Sequence, residues 1–129
     1  MKKIILITLS LLLISCVPPT REELAGADYG NYPSNYKETI KSYLNRNLKD
    51  PDSAKIEYLN EPRTAWSTWG GGKKFGYAVC ANVNSKNSFG GYTGYKIGYY
   101  LIKNDTIILP MTGEGVYMQS LIEGACKNF

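Results

Sequence analysis

The spacing of apolar residues along the chain changes rhythm several times, and each rhythm predicts an element. Residues 4–12 form an aliphatic run interrupted only by Thr8 and Ser10. It is about half the ~20 residues that a membrane-spanning helix needs. From Tyr36 the period becomes helical: Tyr36, Ile40, Tyr43, Leu44 and Leu48 make one stripe, while Lys37, Glu38, Lys41 and Arg46 fall elsewhere. Asn35, with Glu38 three residues on, has the form of a capping box. Asp50-Pro51 ends the helix, because a residue before proline is disfavoured in the α region. The period then falls to two. A short alternation at 55–59 is followed by 75–83, which puts Phe75, Tyr77, Val79, Ala81 and Val83 on one face and Gly76, Ala78, Cys80 and Asn82 on the other. Residues 95–103 are aromatic and β-branched enough for a third strand, and Asn104-Asp105 turns the chain into a fourth at 106–109. Val116, Leu121, Ile122 and Ala125 predict a closing helix. The expected fold is α+β, a small antiparallel sheet of about four strands with an N-terminal amphipathic helix and a short C-terminal helix.

The beginning of the chain addresses compartment rather than fold. Lys2 and Lys3 precede the aliphatic run and Leu13-Ile14-Ser15-Cys16 follows it, which is the layout of a signal peptide. The closing tetrapeptide resembles the lipobox of bacterial lipoproteins, an aliphatic residue and then a small one before an obligatory cysteine. That resemblance implies a diacylglyceryl group on the Cys16 sulfur, cleavage before Cys16 and acylation of the new amine. The alternative is an ordinary secretory signal with a chance cysteine. In Gram-negative lipoproteins an acidic residue after the cysteine favours inner-membrane retention, so Val17 implies a lipid anchor in the outer membrane, facing the periplasm. The expected domains are a signal peptide over 1–15, a lipidated cysteine and flexible tether over 16–28, and one α+β domain over 29–129. Pro18-Pro19 favours extended geometry and residues 20–27 are polar or small. Fully stretched, the tether reaches about 35–40 Å; a short helical turn over 21–24 is compatible with it.

Charge removes one class of partner. The chain has 15 Lys and Arg; without Lys2 and Lys3 there remain 13 against 11 acidic residues, a balance of +2. That is too even for nucleic-acid binding. With Cys16 lipidated, Cys80 and Cys126 are left as one candidate pair in an oxidising compartment, the alternative being two buried free thiols.

Candidate chemistry is sparse. There is no histidine, so no His-based triad, metal ligand or imidazole base can form. The carboxylates Asp50, Asp52, Glu57, Glu61, Asp105 and Glu114 are scattered, and Asp50-Pro51-Asp52-Ser53 lacks the ligand alternation of a calcium loop. Gly90-Gly91-Tyr92-Thr93-Gly94-Tyr95-Lys96 has glycines and a lysine but neither the spacing nor the Ser/Thr of a P-loop. The expectation is a non-enzymatic protein without cofactor or metal. Its aromatic content points instead to contact surfaces: eleven Tyr and two Trp are many for this length, and such rings suit half-wet faces and glycan stacking. Trp66 and Trp69 fall in a loop beside Gly70-Gly71-Gly72, either as a flap over a small core or as exposed contact residues.

The strings over 32–54 and 75–103, NYPSNYKETIKSYLNRNLKDPDSA and FGYAVCANVNSKNSFGGYTGYK with YYLIK, resemble a group of small bacterial lipoproteins and secreted proteins. The resemblance covers about half of the mature chain. It implies a shared fold and compartment and carries over no catalytic residue. A site in such a protein is expected on the loop bearing Asn84, Lys86, Asn87, Phe89 and Tyr92, since strands support that loop. The expected role is a lipid-anchored module binding an envelope protein or glycan. The rivals are an accessory part of a secretion or conjugation machine and a prophage-encoded surface exclusion lipoprotein.

Overall fold

The protein is described here by a computed structural model covering residues 17–129, so the signal peptide and Cys16 lie outside the described residues. In chain order the elements are α1 (Arg21–Ala25), α2 (Tyr36–Asn47), a 3-10 turn (Pro51–Ser53), β1 (Lys55–Tyr58), β2 (Arg63–Ser67), β3 (Lys74–Asn84), β4 (Lys96–Lys103), β5 (Thr106–Met111) and α3 (Val116–Cys126). Among the described residues the fold is α+β, with one antiparallel sheet of five strands and three helices. No helix among the described residues is long and apolar enough to cross a membrane.

The long strand β3 organises the sheet. On one side it pairs with β4, which in turn pairs with β5 across the Asn104-Asp105 turn, where both residues hold the positive φ of a tight hairpin. On the other side β1 and β2 lie end to end along β3, β1 against Ala81 to Asn84 and β2 against Lys74 to Ala78. The fifth strand corrects the expected count. Residues 61–74 read as a loop because Arg63-Thr64-Ala65-Trp66-Ser67 offers only five positions and no clean alternation; its pairing with β3 makes it a strand.

Asn60 fills the break between β1 and β2. Its side-chain oxygen accepts from the Cys80 amide at 2.8 Å and its side-chain nitrogen donates to the Ala78 carbonyl at 3.0 Å, replacing the rung that a continuous strand would supply. Asn60→Ala should leave both groups unpaired beside a fully buried stretch and lower stability by about 1–3 kcal/mol, readable as a fall in urea midpoint at constant m-value.

Each face of the sheet is covered by one helix. Tyr36, Ile40 and Leu44 of α2 pack on Val79, Ala81, Tyr100 and Ile102. Ile122 of α3 packs on Ala78, Cys80, Tyr99, Leu101 and Leu109. The stripe over 36–48 is thus the buried face of α2. Its start differs from expectation: the Asn35 side chain makes no cap, and its carbonyl accepts from the Thr39 amide and hydroxyl instead. The capping box of this protein belongs to Thr20 and Glu23, at the start of α1. Cys126 ends α3 and is bridged to Cys80, tying that helix to the central strand.

Burial pushes the Tyr99 phenol up to about 12, and the Tyr100 phenol moves in the same direction. Both must stay neutral in the folded state. Their contribution to stability is therefore whole below the ordinary tyrosine value near 10 and lost as pH rises from about 10 to about 12. Absorbance at 295 nm should show these two phenols ionising only together with unfolding.

Candidate functional site

Residues 85–93 leave the end of β3 as a small hairpin rather than a slack glycine-rich loop. Lys86 and Tyr92 face each other as a bridge, and the Asn87 amide donates to the Gly91 carbonyl at 2.8 Å. The Asn87 side-chain oxygen accepts from the amides of Phe89 at 2.9 Å and Gly91 at 3.2 Å, an Asx arrangement that sets the tip. Gly90, at φ +80°, completes the turn with its amide on the Asn87 carbonyl. Lower down, the Asn84 side-chain oxygen accepts from the Gly94 amide at 3.0 Å.

The hairpin is braced against the domain through the 3-10 turn. Ser53 accepts from the Lys86 amide with its hydroxyl at 2.9 Å, and its carbonyl accepts from the Tyr92 hydroxyl at 3.0 Å. The ammonium groups of Lys55 and Lys86 lie 4.5 and 5.5 Å from the Tyr92 ring centroid, so two cations interact with this ring. Asn84, Lys86, Asn87 and Tyr92 are thus engaged in building the hairpin. Phe89, at its tip, is the residue presented: it is 97% exposed.

Two cavities lie behind this hairpin. One, of 280 Å³, opens between the C-terminal end of α2 and the start of β4, lined among others by Leu48, Ser85, Thr93, Lys96, Tyr100 and Glu114. The other, of 250 Å³, shares Ser85, Thr93 and Glu114 with it and adds Lys86 and Asn87. Lys96 and Glu114 pair across the mouth at 2.6 Å, and that bond holds the Glu114 carboxyl below the usual carboxylate range. Glu114 leads directly into α3, whose first two residues, Val116 and Tyr117, are 86% and 78% exposed. Val116, one of the residues that predict this helix, is not on its buried face. The buried stripe runs through Met118, Ile122, Ala125 and Phe129, at spacings of four, three and four.

Trp66 and Trp69 are elsewhere. Trp66 lies in β2, opposite Phe75, the second residue of β3, and Trp69 begins the turn that joins the two strands. They stand at the opposite end of β3 from Asn84, some 30 Å away at the usual rise of a strand. The seven candidate residues therefore form two surfaces, one at each end of the sheet. Among the described residues, no three His, Cys, Asp or Glu side chains converge as metal ligands would.

No protein-family model, curated protein or solved structure matches this chain. The resemblance carried by residues 32–54 and 75–103 rests on those residues alone.

Proposed function

We propose that the protein is a lipid-anchored envelope module that binds a protein partner through the end of the sheet bearing Phe89, Val116 and Tyr117. The observation that carries this reading is the Phe89 hairpin. A phenylalanine ring almost wholly in water is set on a turn cross-braced by its own asparagines and by Ser53, so little conformational freedom is lost when it docks. Large apolar groups left this exposed at one end of the sheet fit the anchor residues of protein interfaces. Phenylalanine and valine favour a protein partner over a glycan, which the two tryptophans at the far end would have suited better. Anchoring through Cys16 supports the same picture, since it would hold such a surface at a membrane for a resident partner.

Photo-crosslinking in intact cells tests it. A photoreactive residue at position 89 or 117 should trap one common protein, while the same residue at exposed Arg46 should not. Phe89→Ala should weaken the isolated complex by roughly 30-fold, the effect of a 2 kcal/mol anchor residue, with no change in melting temperature. Trapping of polysaccharide instead, or indifference to the Phe89 change, would remove the reading. Separately, Cys16→Ser should release the chain from membranes and abolish incorporation of labelled palmitate.

A further inference from the structure

The N-terminal segment is fastened to the domain, and always at the same end. Pro19 is buried. The Thr20 amide donates to the Glu23 carboxylate at 2.7 Å, and that carboxylate pairs with Lys73 at 2.7 Å. Asp28 pairs with Lys103 at 3.1 Å, Tyr29 sets its ring edge to face with Phe75 at 5.8 Å, and the Asn31 amide donates to the Asn104 side chain at 3.3 Å. Lys73 precedes β3, Phe75 is its second residue, Lys103 ends β4 and Asn104 begins the following turn. All of these belong to the end of the sheet that carries Trp66 and Trp69.

We infer that this tryptophan end rests on the lipid surface, with the Phe89 hairpin held away from it by the length of β3. The inference rests on Cys16 being the lipid anchor. Cys16 is only four positions before Thr20, a reach of at most about 14 Å, less than half of what a free tether over 16–28 would allow. The lipid chains therefore emerge beside the β2–β3 turn. Both tryptophans of the chain are there, 40% and 48% exposed, with Tyr32 half-exposed nearby. Indole and phenol rings combine apolar area with a polar tip and settle at headgroup depth.

The lysines at this end are already engaged within the chain. Lys73 is paired with Glu23, and the Lys74 ammonium donates to the carbonyls of Trp69 and Gly71. The surface therefore suits zwitterionic headgroups and does not depend on anionic lipid. Its contact with the bilayer is aromatic insertion rather than electrostatic attraction.

Intrinsic fluorescence reads this end directly, because the chain has no other tryptophan. The purified lipidated protein is inserted into phosphatidylcholine vesicles, with and without brominated acyl chains. Emission should shift to the blue relative to the soluble Cys16→Ser protein and fall roughly two-fold with the brominated lipid, as indoles at headgroup depth would. Added salt should change neither reading. A lipid-free reporter comes from W66F/W69F carrying Phe89→Trp, whose emission should be unaffected by the brominated chains. Lipidated, vesicle-bound protein whose native tryptophans are unshifted and unquenched overturns the orientation and leaves the anchor standing. A Cys16 peptide without lipid by mass, from a chain that does not float with vesicles, overturns the anchor and this placement together.

Discussion

Replacing both Cys80 and Cys126 by Ala is expected to lower the melting temperature by roughly 15–25 °C. The bridge joins residues 46 apart, and a loop of that size stabilises a fold by about 3–4 kcal/mol through the entropy removed from the unfolded chain. In a domain of this length each kcal/mol moves the midpoint by about 4–8 °C. The loss should be uneven as well as large. Within α3 only Ile122 is fully buried, so the helix depends on its tether more than α2 does, with its three buried residues. The Gln119 side chain, which donates to the Ile97 and Gly113 carbonyls and accepts from the Ile97 amide, is the main polar tie left. Hydrogen exchange on the double variant should show α3 losing protection before β3. Equal exchange in α3 and β3 would contradict this ordering.

Tyr100→Ala should cost about 3–5 kcal/mol, and Tyr100→Phe almost nothing. The ring is fully buried beneath α2 and meets Tyr43 edge to face at 5.8 Å. It lies along its own strand, so that a Cβ on Gly98 would stand only 2.5 Å from the Tyr100 hydroxyl. Gly98 is thus the space into which the phenol extends, and its hydroxyl ends beside the 280 Å³ cavity that both residues line. The hydroxyl makes no hydrogen bond to another described residue, so deleting it breaks none; deleting the ring leaves a void at the centre of the α2 face. Chemical denaturation of the two variants checks the contrast. Gly98→Ala should behave like a milder Tyr100→Ala, at about 1–3 kcal/mol, because the added Cβ would push the ring out of its packed position.

The helix over residues 36–47, the alternation through β3 and the Asn104-Asp105 hairpin were legible because each repeats one local rule over many residues. Cys80 and Cys126 were legible as a candidate pair for a different reason, since few cysteines leave few arrangements. What escaped depended on contacts distant in sequence. Arg63-Thr64-Ala65-Trp66-Ser67 becomes a strand only because β3 is longer than β1 and leaves an edge to be paired. Asn60 reads as a loop residue until it is seen bridging that edge. The residues 20–31 look too polar to pack, yet they are held by ion pairs and a ring contact to residues 46–75 positions away. At the candidate site, the loop around Phe89 stood out through the resemblance and the strands on either side of it, whereas Val116 and Tyr117 were hidden by being apolar at the start of an apolar helix. That Trp66 and Phe89 lie at opposite ends of one strand could not be read from their nearness in sequence.

The break at Asn60 also bears on how these molecules treat one another when crowded. An outer strand with unsatisfied amides and carbonyls is a template onto which a second copy can add. Here one border of the sheet is divided into pieces of four and five residues, and the other, β5, contains Pro110, which has no amide to offer. Neither border presents a long uninterrupted ladder. The same side chain that completes the sheet internally keeps its margin too short to seed growth between neighbours, so a lengthened β1–β2 margin is where self-association would be expected to begin.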